Sequence, residues 1–258
     1  MKKALLVGIN DYPGKLNDLM GCVNDVHSMH DILVSLFGFS RESIVMITDS
    51  AATTFNILRA LEMLVHEAKA GDLLVFHYSG HGSQVPDTSG DEPDKLDEII
   101  CPCDLDWHSN VIRDDELSKI FGQVPPGVHV EAILDCCHSG TAFRTAGNDY
   151  RKNRFLAMPE DIMPVTSGKK RVRPIKPEKI QVLWAACRSD QYAADAQLNG
   201  KYGGAFTTAL CECLTASKGK IGRYELLKKI RTRLKKGRFI QAPQLETARK
   251  FRNTQFLG

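Results

Sequence analysis

The chain has 258 residues, 43% of them hydrophobic, and a formal charge of +3 from 34 Lys and Arg against 31 Asp and Glu. That length and composition can bury a full core as one large or two small domains. The charge is too modest to imply nucleic-acid binding, and no apolar run approaches the roughly 18 residues that a membrane span requires.

The N-terminus, MKKALLVGINDY, places two lysines before an apolar run, as a signal peptide does. That run covers only residues 4–9 and ends in Asn10-Asp11 rather than at a small-residue cleavage site, so it reads as a first buried strand. Residues 25–37 place apolar side chains at three- and four-residue intervals, the period of a helix. A strand over 44–48 follows, and then a helix over 54–70 that Thr53 or Thr54 can cap and Gly71 can stop. Strands are expected over 72–79, 98–102 and 128–136, with a short helix opening at Asp114 or Asp115 and running to about Phe121. Strands alternating with helices indicate an α/β fold, a mostly parallel central sheet flanked by helices on both faces.

Residues 141–179 differ from their surroundings. They carry Arg144, Arg151, Lys152, Arg154, Lys169, Lys170, Arg171, Arg173, Lys176 and Lys179, with prolines at 159, 164, 174 and 177. Lacking a sustained hydrophobic period, the segment is expected to be an exposed, mobile linker. A strand over 181–187 and helices over 203–216 and 223–235 complete the chain. The organisation expected is a large region at 1–143, a basic linker at 144–179 and a small region at 180–258 that completes the same domain.

Eight cysteines suit a disulfide framework only in a small secreted protein. Here reduced thiols in a cytoplasm are expected. Cys101-Pro-Cys103 and Cys211-Glu-Cys213 leave one residue between the thiols, whereas structural zinc sites space them by two to four.

Chemistry concentrates at the ends of two strands, in LLVFHYSGHGSQ at 73–84 and VEAILDCCHSG at 130–140. In parallel sheets functional residues gather at the carboxyl ends of strands. His81 stands between Gly80 and Gly82, where glycine permits positive φ and close approach of a ligand. Cys137 lies beside the Ser-Gly turn at the end of its strand. By alternation Cys137 shares a side with Ile133 and Asp135, and Cys136 faces the core. A thiol nucleophile needs an imidazole to take its proton. The amides of Gly82 and Cys137 are the candidate oxyanion donors. His77 is expected to pack inside its strand, and His138 to point away.

HYSGHG at 77–82 and DCCHSG at 135–140 resemble the histidine and cysteine motifs of metacaspases, the caspase relatives of plants, fungi, protists and bacteria. The likeness continues through GCVNDV (21–26), DEPDKLDEIICPCD (91–104), RDDEL (113–117), WAACRSDQYAADA (184–196) and GGAFTTAL (203–210). The family usually has serine where this chain has Cys136. Such a resemblance implies a caspase-like fold, a Cys137–His81 dyad and cleavage of protein substrates after Arg or Lys. The 56 residues from His81 to Cys137 also approach the roughly 50-residue spacing of caspases. It further implies a pocket made by Asp25, Asp135 and Ser79, self-cleavage in the basic linker, and a monomer. Asp25 could instead cap a helix and Asp135 a strand end. No cofactor is needed for the chemistry, but calcium activates many members through positions matching Asp97, Asp114 and Asp115. Another family aspartate is replaced here by Arg144, a cation among would-be calcium ligands. The alternatives are a catalytically silent caspase-fold scaffold and a nucleotide-binding domain. The latter lacks GxGxxG or a P-loop after the first strand.

Overall fold

Five of the chain's apolar runs and one polar strand near the C-terminus hydrogen-bond into one sheet. The computed structural model describes residues 1–90, 95–137, 151–163 and 180–258. In chain order the elements are β1 (Lys2–Gly8), α1 (Cys22–Phe37), β2 (Ile44–Thr48), α2 (Thr54–His66), β3 (Leu73–Ser79), β4 (Gly82–Pro86), β5 (Leu96–Ile100) and β6 (Ile112–Arg113). Then come α3 (Asp114–Phe121), β7 (His129–Asp135), β8 (Arg151–Asn153), β9 (Val182–Ala185), β10 (Ala194–Leu198), β11 (Lys201–Gly204), α4 (Ala205–Ala216), α5 (Arg223–Lys236) and β12 (Gln244–Thr247).

The central sheet has the order β12-β9-β7-β3-β1-β2. Every pairing in it is parallel except that of β12 with β9. Continuous apolar runs such as Leu73–Ser79, inward on both faces, are what a sheet covered on both sides requires. One face packs against α2 and α3 through Ile57, Leu61, Leu117 and Phe121. The other packs against α1, α4 and α5 through Val26, Leu33, Phe206, Leu210, Leu226 and Ile230. Two small antiparallel sheets, β4-β5-β6 and β11-β10-β8, stand at the carboxyl end of the central strands.

Several expected boundaries shift for local reasons. Helix α1 begins at Cys22, where the Asn10 side chain accepts from the Cys22 amide at 2.8 Å, so Asp25 lies inside its first turn rather than before it. Thr53 caps α2, accepting from the Asn56 amide at 3.3 Å. That helix stops at His66 instead of running to 70, and the chain turns through Gly71 at φ +88°.

The largest difference falls in the basic linker. Residues 144–150 and 164–179 lie outside the described residues. The described part departs from the expectation in its middle: residues 151–153 form strand β8 with exposed side chains, but Arg154 is 0% exposed and Leu156 is buried. Backbone hydrogen bonds and an ion-pair cluster hold it, and hydrophobic periodicity reports on neither.

Candidate active site

Strands β3 and β7 are neighbours in register, with Ser79 opposite Asp135, so their ends deliver His81 and Cys137 to one place. The amides of Gly82 and Cys137 both donate to a single carbonyl oxygen, that of Arg154, at 3.1 and 3.0 Å. Two amides converging on one oxygen is the arrangement that stabilises the oxyanion of acyl transfer.

The His81 imidazole is fixed by backbone. Its Nε2 lies 2.7 Å from the Asn17 carbonyl oxygen, which can only accept, so Nε2 carries the proton and Nδ1 holds the lone pair. Nδ1 is buried without a hydrogen-bond partner. Burial pushes the imidazole down to about 4, partly opposed by the Asn17 carbonyl, so the ring is neutral at pH 7. The Tyr12 hydroxyl accepts from the His81 amide at 2.8 Å and the Tyr78 hydroxyl donates to the His81 carbonyl at 2.6 Å. The Tyr12 ring also meets the imidazole edge-on at 4.7 Å. Gly80 and Gly82 are absent from the positive-φ residues, so left-handed backbone is not their role. A Cβ on Gly80 would overlap both tyrosine hydroxyls, and close approach is what that glycine provides.

The Cys137 sulfur is fully buried and accepts from the Ala193 amide at 2.5 Å. Since Nδ1 has no partner, sulfur and imidazole are not hydrogen-bonded to each other. The chain around each meets the Arg154 carbonyl instead, through the Gly82 and Cys137 amides. His77 is buried in β3 and pushed down to about 3 by burial, a neutral core histidine. His138 lies outside the described residues. Cys136 packs in the opposite core layer from Cys137.

Asp25, Asp135 and Ser79 do converge, and Arg154 sits among them. Its guanidinium donates from Nη2 to Asp25 at 2.7 Å and from Nη1 to Ser79 Oγ at 2.8 Å, with Asp135 Oδ2 3.2 Å away. A third acid, Asp195, accepts from Nη2 at 3.0 Å. The Asp135 carboxylate faces the guanidinium and also accepts from the Thr207 amide and hydroxyl, at 3.0 and 2.7 Å, in the first turn of α4. Asp195 accepts from the Met20 and Gly21 amides where α1 begins. Helix N-termini favour the ionised carboxylate. Burial nevertheless pushes Asp25 up to about 6 against the pull of Arg154, with Asp135 adding repulsion. Gly204 forms the floor, where any Cβ would overlap Asp135 and Arg154.

Arg154 therefore enters as a bound strand would. Residues 151–153 pair antiparallel with β10, and the Arg154 amide donates to the Ala193 carbonyl at 3.0 Å. Beyond the carbonyl, the Leu156 amide donates to Gly82 at 3.1 Å and Ser83 Oγ to the Leu156 carbonyl at 2.5 Å. Sequence reasoning missed this role for Arg154. It also missed Asp195, which lies within the WAACRSDQYAADA segment, and the Asn17 carbonyl, which as a backbone group leaves no trace in residue type.

The expected calcium positions fare differently. Asp97 is paired with Arg113 Nε at 3.0 Å, and burial together with Asp87 pushes its carboxyl up to about 6. Among the described residues no group of three or more His, Cys, Asp or Glu side chains could hold a metal. Asp97, Asp114 and Asp115 thus do not by themselves fit the many-oxygen shell that calcium prefers. Arg144 lies outside the described residues.

A thiol, an imidazole and two convergent amides at the carboxyl edge of a mostly parallel sheet, beside a triply acidic pocket, define a caspase-like domain. Caspase-1 from Spodoptera frugiperda shares that fold, with a TM-score of 0.57 at 13% identity over 95% of this chain and 86% of that one. A crystal structure of a Geobacter sulfurreducens protein superposes with a TM-score of 0.72 at 27% identity, covering 99% and 98% of the two chains. The profile of the metacaspase peptidase C14 domain matches residues 2–146. Metacaspase-1 of Cryptococcus neoformans is 35% identical, covering 96% of this chain and 62% of the relative. Metacaspase-1 of Meyerozyma guilliermondii is 34% identical, covering 96% and 69%. The chain belongs to the metacaspase family, and it spans somewhat under two thirds of the first of those relatives.

Proposed function

We propose that this chain is a cysteine endopeptidase that cuts after Arg or Lys, and that its first substrate is its own Arg154–Phe155 bond. The observation that carries the reading is the placement of Arg154, with its side chain among Asp25, Asp135 and Asp195 and its carbonyl between the Gly82 and Cys137 amides. A buried guanidinium is costly without paired carboxylates, so a pocket of three acids selects a cation. A lysine ammonium can reach the same acids as a point charge, with fewer bonds.

In this mechanism the Cys137 thiol gives its proton to His81 Nδ1 and the sulfur attacks the carbonyl carbon of the residue in the acidic pocket. The carbonyl electrons move to the oxygen, where the Gly82 and Cys137 amides hold the negative charge. As the tetrahedral centre collapses, the peptide C–N bond breaks and Nδ1–H passes its proton to the leaving amine, leaving a thioester on Cys137. Water attacks the thioester, giving its proton to His81. The carboxylic acid leaves and the sulfur recovers its proton. The Asn17 carbonyl keeps Nε2 protonated throughout, so Nδ1 is the nitrogen that cycles.

No cofactor enters these steps, and calcium, where it acts, acts outside them. All eight cysteines are free thiols, which supports a reducing compartment such as the cytoplasm. A monomer suffices, since every residue of the pocket and the dyad comes from one chain. The test is turnover of a fluorogenic peptide ending in Arg against the same peptide ending in Asp. Cleavage of the Arg peptide alone, lost in Cys137→Ala, supports the proposal. Equal turnover of the two peptides overturns the Arg or Lys specificity, and absent turnover makes the chain a silent scaffold.

A further inference from the structure

We propose that the groove contains a second cation-recognising subsite, for an arginine three residues before the cleaved one, so that the favoured substrate is an extended Arg-x-x-Arg strand. This rests on the peptidase reading and names the substrate class of the same groove.

Side chains of an extended strand alternate between its two sides. Lys152 and Arg154 point toward the start of α1, where Lys152 Nζ donates to the Asp18 carbonyl at 2.7 Å. Arg151 points the other way and meets a cradle at the end of α5. Its Nη1 and Nη2 donate to the carbonyls of Arg238 and Gly237, each at 3.1 Å. Its Cζ lies 4.3 Å from the centroid of the Phe239 ring. The last carbonyls of a helix carry the negative end of its dipole, and the C-cap Gly237 stands at that end; an aromatic face attracts a guanidinium.

The cradle is held in place from below. Gln191 donates to the Ile240 carbonyl at 3.0 Å and accepts from the Ala242 amide at 2.8 Å. Gln241 accepts from the Ala194 amide and donates to the Ala186 carbonyl, both at 3.0 Å. The bond to Ala194 ties the 237–242 loop to the start of β10, the strand that pairs with residues 151–153, and the others tie it to the chain between β9 and β10. A Cβ on Gly237 would come within 2.9 Å of the Phe239 ring, so glycine lets the ring fold back over the helix end. Lys235, Lys236 and Arg238 stand beside the cradle in the chain, and three cations at one helix end leave a bare positive charge little to gain. Selection comes from the fork onto two carbonyls and the stack on a ring, which arginine makes and lysine does not.

The experiment uses the full-length chain in two arms. In the first, the fluorogenic peptides Arg-Lys-Asn-Arg, Lys-Lys-Asn-Arg and Ala-Lys-Asn-Arg are compared by kcat/KM. The Arg peptide is expected to exceed the other two by about fivefold, and Phe239→Leu to bring the ratio to about one. In the second, amide exchange of residues 152–154 is followed in Cys137→Ala, where no cleavage occurs. Arg151→Lys and Phe239→Leu should each speed exchange by a similar factor, and together no further. Equal peptide rates in the wild type, a ratio that survives Phe239→Leu, or independent effects on exchange overturn the subsite. Coupled exchange without any peptide turnover keeps the subsite and removes the peptidase reading, so the two failures are distinct.

Discussion

The amide of Cys137 donates to the carbonyl oxygen of Arg154 at 3.0 Å, so the residue bearing the candidate nucleophile also grips the carbonyl it would attack. Fold, pocket and linker meet in this one bond. It places an expected linker residue against the two amides at the strand ends, where the proposed reading puts a substrate carbonyl.

Occupancy by Arg154 predicts competition. In Arg154→Ala the guanidinium no longer fills the pocket, and the KM for an Arg peptide added in trans, measured on fresh protein, should fall at least about fivefold relative to uncleaved wild type. The same variant should no longer yield the self-cleaved fragments. An unchanged KM would mean that the segment does not obstruct the groove.

Gly204 tests the pocket floor. A methyl group there overlaps Asp135 and the guanidinium, so Gly204→Ala should lower kcat/KM for Arg peptides by about 100-fold, about 2.7 kcal/mol of transition-state binding. Its thermal unfolding midpoint should drop by only a few degrees. Retained activity would place cation recognition elsewhere.

The fold could be read from the sequence where burial leaves a pattern. Residues 73–79 and 129–135 are apolar enough to declare themselves as interior strands; Ser79 and Asp135 end them, Asp25 lies apart in GCVNDV, and only the family resemblance linked the three. Strand β8 could not be read this way, because Arg151, Lys152 and Asn153 are held by backbone pairing to β10 and their side chains are exposed. Arg154 looked like one more solvated cation because its partners Asp25, Asp135 and Asp195 lie far away in the chain. The Tyr12–Tyr78 clamp was hidden similarly, since two apolar-looking core positions gave no sign that their hydroxyls hold the His81 backbone.

The two perturbed acids and bases act on different kinetic constants. Asp25 titrates near about 6, and below that its carboxyl is neutral and the pocket loses negative charge. His81 titrates near about 4, so Nδ1 keeps its lone pair well below pH 6. Between pH 7 and pH 5 the KM for an Arg peptide should therefore rise about tenfold while kcat holds. A fall in kcat should appear only toward pH 4, with folding checked by circular dichroism. A kcat that halves near pH 6.5 would show an imidazole in water rather than the buried one.

Arg113 already occupies the Asp97 carboxylate. Chelation of calcium with EGTA should accordingly leave kcat/KM for the Arg peptide within about twofold, against the total loss expected where the ion completes the site. A loss above about tenfold, restored by calcium alone, would contradict this.

The most direct measurement is the identity of the new N-terminus after purified chain is incubated alone. Intact mass and N-terminal sequencing of wild type should show a fragment beginning at Phe155, and Cys137→Ala should remain whole. Fragments from wild type that begin elsewhere, with Arg154–Phe155 uncut, or the same cut in Cys137→Ala, would contradict the account.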